Sequence, residues 1–145
     1  MIGSIARSVI AVVLGLALAL ALVIGVEVIS SILHPLPPGV DPNDVEVMKE
    51  HVARYPPAGL LLAGLAWGLV TLLSTWLATR LGAGRHPAHG ILVGLILLSA
   101  AIMNMLMLPY PTWFWILNLV VFPAGICLGA WLGAKQAKPV LSGAS

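Results

Sequence analysis

Residues 9–34 read VIAVVLGLALALALVIGVEVISSILH. From Val9 to Leu33 the run carries a single ionisable side chain, Glu27. A helix needs about 20 predominantly apolar residues to cross the hydrocarbon core of a bilayer, and this stretch supplies them. It therefore predicts a membrane span with a carboxylate inside it. Such a group costs a few kcal/mol or more at that depth, so it faces a protein interior, a partner or a water-filled cavity. Ser30, Ser31 and His34 follow Glu27 at spacings of three, four and seven, which puts all four on one helix face. That stripe is the first pointer to a site.

Working outward, three more apolar runs appear. They cover about 58–79, 90–108 and 113–132, with span 1 at 9–33. The rest of the composition agrees. Of 145 residues, 60% are hydrophobic and only 8% charged, against roughly 25% charged in a soluble domain. The mean hydropathy is +1.06. The expectation is an all-α polytopic membrane protein: one domain over 1–145, four spans in an antiparallel bundle, and a short helix in the 34–57 loop. Span 1 is too long for a signal peptide and has three spans after it, so it reads as a mature helix. The net charge of +2 comes from scattered residues, which argues against a nucleic-acid partner. Cys127 is the sole cysteine; it forms no intrachain disulfide and reads as a small buried hydrophobe.

Charge asymmetry predicts orientation. Arg7, Arg80, Arg85, Lys135 and Lys138 fall on one side, and Lys49 and Arg54 on the other with Asp41, Asp44, Glu46 and Glu50. Both termini are expected in the cytoplasm of a bacterial cell, in its inner membrane, with the 34–57 loop facing out. Tyr55, Tyr110, Trp113 and Trp115 would mark the outer boundary, Trp76 and Trp131 the inner one, and Trp67 would sit deep. In the loop, Pro35 to Gly39 is expected extended. Asp41-Pro42 reads as a cap and first turn, with Asp44 completing a capping box and a helix running to Arg54. Val45, Met48 and Val52 share a face of it. Pro109-Tyr-Pro-Thr112 is a tight connection with Thr112 as N-cap of span 4.

Small residues let membrane helices approach closely. Span 4 has Gly125, Gly129 and Gly133 at steps of four, in line with Asn118 and Phe122. Span 2 has Gly64, Gly68, Thr71 and Thr75, and span 1 has Ala17, Ala21 and Gly25. These stripes predict packing within the chain, with dimerisation through span 4 as the sharper alternative. Pro123 is expected to kink span 4.

Depth gives a second pointer. Glu27 lies roughly 10 Å below the outer end of span 1, at about 1.5 Å per residue. Asn104, Asn118 and Trp67 fall at comparable depth in the other spans. Facing inward together, they would donate hydrogen bonds to Glu27. Candidate ligand or proton-site residues are thus Glu27, Ser31, His34, Trp67, Asn104 and Asn118. No metal site and no cofactor are expected: Glu27 and His34 are two turns apart, His51 could approach from the loop but nothing requires it, and Met103, Met105 and Met107 do not share one face. His86 and His89 read as interfacial. No catalytic motif is present, and Ser30 and Ser31 are more simply bonded to their own helix.

The run Glu27 to Asp44 containing His34-Pro-Leu-Pro-Pro-Gly-Val-Asp41-Pro-Asn-Asp44, then Pro57-Ala-Gly and Leu108-Pro-Tyr-Pro-Thr-Trp-Phe-Trp115, resembles a group of small, uncharacterised bacterial four-span membrane proteins. The resemblance implies an integral bacterial membrane protein and carries no activity. A looser likeness to small multidrug-resistance transporters rests on four short spans, a carboxylate in span 1 and glycines in span 4. The long loop and the outward position of Glu27 depart from it. The expected function is non-enzymatic: a Glu27-centred polar cluster with a structural or interaction role, or a small-ligand site. The alternative is a small dimeric transporter coupled to protonation of Glu27. Expected partners are membrane lipids and a second copy or another membrane protein.

Overall fold

The structure, a computed structural model, describes residues 2–135. Lys138 and the remaining residues to Ser145 lie outside the described residues. Five helices follow in order: α1 (Ile2–Leu33), α2 (Val45–Ala53), α3 (Pro57–Leu81), α4 (Ala88–Met107) and α5 (Thr112–Ala134), with a 3₁₀ turn at Ala83–Arg85 between α3 and α4. No strand occurs among the described residues. The fold is all-α. Helices α1, α3, α4 and α5 are each long and apolar enough to cross a membrane, which is the architecture of a multi-pass membrane protein. Three of the four spans both begin and end within two residues of where the hydropathy places them. Span 1 begins earlier, because Ser4, Arg7 and Ser8 ride on a helical extension toward Ile2.

The centre of the bundle is the α3–α5 seam. Thr71, Thr75 and Thr79 of α3 are almost wholly buried and meet the glycine face of α5. A methyl group added at Gly125 would come within 2.8 Å of the Gly68 carbonyl oxygen, and one at Gly133 within 2.7 Å of the Trp76 carbonyl oxygen. At Gly129 it would collide with the Thr75 hydroxyl. Gly64 receives Leu117 and Phe114, and Gly68 receives Val121. The Thr75 hydroxyl lies 3.3 Å from the Gly125 carbonyl, a donor between helices with no aqueous competitor, and 3.0 Å from its own Leu72 carbonyl. The span 4 glycines therefore pack within the chain, and the face proposed for a dimer is occupied by α3.

Helix α1 is peripheral. Only 17% of its apolar window is buried, against 39% in α3 and in α5. It docks through Ala11, Gly15 and Ala19, with a methyl added at Gly15 reaching 2.9 Å from Ala78 Cβ and 3.2 Å from Val93 Cγ2. The expected stripe of Ala17, Ala21 and Gly25 instead faces outward; Gly25 has nothing within contact distance. Cys127 is also exposed rather than buried. Both corrections have one cause: small side chains cost nothing on a face toward lipid, so their presence does not select the packed face.

The expectations for two helix caps change. Asp44, not Asp41, caps α2: its carboxylate accepts from the amides of Glu46 at 2.9 Å and Val47 at 3.5 Å. Asp41 is used one turn earlier, accepting from the Asn43 backbone amide at 2.8 Å. Helix α5 starts at Thr112 with Pro111 as its cap, and the Thr112 side chain makes no capping bond. Pro111 already has extended backbone angles, so the threonine enters the first turn. Pro123 lies inside α5, on an exposed face.

At the end opposite α2, arginines cap helix C-termini, where backbone carbonyls lack intrahelical donors. Arg7 Nε donates to Leu81 O at 2.8 Å, and Arg80 and Arg85 donate to Lys135 O at 3.1 and 3.4 Å. These residues, read in the sequence only as topology signals, also tie α1 to α3 and the α3–α4 turn to α5.

Candidate functional site

The α2 end of the bundle holds a cavity of about 470 Å³. Its wall follows from chain geometry. The buried residues of α1 are Ala11, Gly15 and Ala19, none follows them, and beyond them a cavity separates its last turns from α3 and α4. The 34–44 segment cannot be helical at Pro35, Pro37 and Pro38 and turns at Gly39, whose φ of +82° suits glycine. It carries the chain over the gap and lays α2 across it. Met48 and Val52 of α2 face the cavity while Val45 remains exposed, so two of the three residues on the expected face dock.

Glu27, Ser30, Ser31 and His34 all line this cavity, as their shared face predicts. Trp67 from α3 and Asn104 from α4 line it too. Asn118 does not join them. It is fully buried, and its amide donates to the Phe114 carbonyl of its own helix at 2.8 Å, leaving its side-chain oxygen without a partner.

Five of the six expected residues thus meet around one space, but they do not form the expected hydrogen-bonded cluster. Among the described residues the Glu27 carboxylate has neither a hydrogen-bond nor an ion-pair partner. Asn104 is engaged elsewhere: Tyr110 Oη donates to its Oδ1 at 3.1 Å. The Trp67 indole nitrogen is buried and unbonded, held by an edge-on contact with Phe114 at 5.8 Å. Ser31 donates to Val28 O of its own helix at 2.8 Å. Divergence of α1 puts open space between Glu27 and the donors that the sequence offered it.

Sequence reading missed two aromatic groups. Tyr110 stacks on Phe114 with centroids 4.6 Å apart, and with Leu60 and Met105 this forms the apolar floor. Its phenol is pushed up to about 12 by burial first, then by the charges of Glu27 and Tyr55, so it remains a donor at neutral pH. At the mouth, the His34 ring lies 4.5 Å from those of His51 and Tyr55. The Tyr55 hydroxyl reaches the Ser30 carbonyl at 3.4 Å. These contacts fasten α2 to the end of α1. The His51 imidazole is held below its ordinary range by burial first and then by His34, with a bond to the His34 backbone opposing. Two imidazoles do meet, yet no group of three or more metal-ligating side chains forms among the described residues. At the other end, His86 Nδ1 accepts from the Ala88 amide at 3.2 Å, a local role at the start of α4.

Charge is uneven along the bundle. All five carboxylates of the chain, Glu27, Asp41, Asp44, Glu46 and Glu50, belong to the cavity wall or the segment above it. The two cations there are paired, Lys49 with Glu46 at 2.8 Å and Arg54 with Glu50 at 3.5 Å. An unpaired carboxylate on a wall that no lysine or arginine lines, over an aromatic floor, suits a small organic cation or hydrogen-bond donor. No family model, curated protein or solved structure matches this chain.

Proposed function

We propose that this chain is a non-enzymatic protein of the bacterial cytoplasmic membrane, with both termini cytoplasmic, that binds a small organic cation in the cavity at its α2 end. The observation that carries the reading is Glu27, a carboxylate on a cavity wall with no partner among the described residues. A structural lock would use its charge or its hydrogen bonds, and this one uses neither. The cavity of about 470 Å³ lies within the size range of small-molecule sites, about 300–1,000 Å³. Tyr110, Phe114 and Leu60 would contact the apolar part of the ligand and Glu27 its charge.

Butylammonium binding to the protein in lipid nanodiscs tests this by calorimetry. The wild type should bind saturably and Glu27→Gln, which keeps the shape but not the charge, should lose at least tenfold in affinity. Equal binding by both would remove Glu27 as the receptor. For orientation, a cysteine at Asn43 should react with an impermeant maleimide added to intact cells; protection there would reverse the assignment.

The second reading, a dimeric transporter coupled to Glu27 protonation, draws on the presence of Glu27 in the walls of two cavities. It needs a path toward the other membrane face, where Gly15 meets Ala78 and Gly94 meets Ile126. It also needs a dimer face other than the glycines of α5. Proton-driven uptake in liposomes, abolished in Glu27→Gln, would favour it over binding alone.

A further inference from the structure

A second cavity of about 310 Å³ lies deeper in the bundle, and Glu27, Trp67 and Asn104 line both it and the first. Those three residues form the shared wall. Below them the lining turns apolar: Val23 of α1, Val70 of α3, Ala101 of α4 and Phe122 of α5. Thr71 is the exception, and its hydroxyl is already donated to the Trp67 carbonyl at 2.9 Å. This space also opens sideways. Helices α1 and α4 touch where Gly15 meets Val93, but at the level of the cavity α4 presents Leu97, Ala100, Ala101 and Asn104, and the small Ala100 is exposed. The gap between α1 and α4 therefore faces the lipid chains.

We infer that the ligand is a single-chain amphiphile with an amine head, entering between α1 and α4, its head at Glu27 and its chain in the deeper cavity. This rests on the binding role proposed for Glu27. The chemistry divides at the shared wall. On one side is a lone carboxylate, in a wall without lysine or arginine, which attracts a cation. On the other is an apolar slot continuous with the bilayer interior, which gives an alkyl chain a place it reaches without crossing water. A short amine would leave the slot unfilled, and a neutral or anionic chain would leave Glu27 without a counter-charge in a low-dielectric setting. The slot has the size for one chain: its volume sits at the bottom of the range for small-molecule sites.

The test is radiolabelled decylamine and butylamine binding to protein in lipid nanodiscs, with empty nanodiscs subtracted to remove partitioning into bilayer. Each buried methylene contributes roughly fourfold in affinity, so decylamine should bind the wild type at least tenfold more tightly than butylamine. Ala100→Phe, at an exposed position that tolerates bulk, fills the slot. It should reduce decylamine affinity to near that of butylamine and leave butylamine unchanged, with Ala100→Leu intermediate. Glu27→Gln should weaken both amines, and decanol should show no dependence on Glu27. Decylamine that binds no better than butylamine, or equally to Ala100→Phe, overturns the two-cavity ligand while leaving the outer site standing. Amine binding indifferent to Glu27 overturns both.

Discussion

The α3–α5 seam and the wall formed by α1 and α2 are built from the same kinds of residue and behave oppositely. In the seam, glycines at steps of four meet backbone and threonine side chains at distances that leave no room for a methyl group. Along the α2 half of α1, alanine and glycine at the same spacing meet nothing, and Glu27 and Ser31 look into open space. The difference lies in what each helix has opposite it. A helix in the middle of the bundle has two backbones to approach; a peripheral helix pinned at one end diverges at the other. The seam supplies stability, and the divergence supplies a cavity.

The comparison is most easily broken by putting bulk on both sides of it. Gly129→Leu should destabilise the protein by about 3 kcal/mol, at the upper end of overpacking costs, or prevent folding. Gly25→Leu should stay within about 0.5 kcal/mol of the parent, as for a surface change. Chemical denaturation in the same detergent measures both. Equal losses would mean that the two faces do not differ.

A smaller effect sharpens the floor of the cavity. Tyr110→Phe keeps the stacking on Phe114 but removes the donor to Asn104, and should cost about 1 kcal/mol. The parent should also show a tyrosine that ionises late. Burial raises the Tyr110 value from 10 to about 12, so its contribution is fully present below pH 10 and lost as pH rises toward 12. Ultraviolet titration should show a delayed tyrosinate phase that is missing from Tyr110→Phe; a phase lost at ordinary pH on that substitution would mean that the phenol is wet.

The smallest effect is at the mouth. The His51 value is lowered from 6.5, so the folded state binds fewer protons than the unfolded one and its stability falls as pH drops below about that value. Amide protection in α2, relative to the intrinsic exchange rate at each pH, should fall between pH 7 and pH 5 while that of α5 is unaffected. Protection in α2 that is constant over that window would remove the imidazole contact as its fastening.

Much of this was legible in the residues. Hydropathy alone sets four spans because a bilayer imposes their length, and the face shared by Glu27, Ser30, Ser31 and His34 follows from helical period. The glycines of α5 pointed to close packing because a glycine repeat at steps of four has little other use in a membrane helix. The alanines of α1 misled because alanine is accepted on lipid and packed faces alike. Asp41 and Asp44 competed for one cap, and the local Asn43 turn decided between them. Asn118 had two sets of partners within reach, and the carbonyl four residues back in its own helix won. The approach of His51 to His34, and the open space around Glu27, depend on how far α1 leans from the bundle. No pattern along the chain encodes that angle.

Thermal unfolding of Glu27→Ala in lipid nanodiscs, with and without saturating butylammonium, tests the central claim most directly. A site that is open rather than structural predicts that the unliganded variant melts with the parent, within about 0.5 kcal/mol. It predicts too that the ligand stabilises the parent, by about 2.7 kcal/mol at one hundred times the dissociation constant, and leaves the variant unmoved. An unliganded Glu27→Ala protein destabilised by about 1–3 kcal/mol, the cost of stranding buried partners, or one still stabilised by butylammonium, would contradict it.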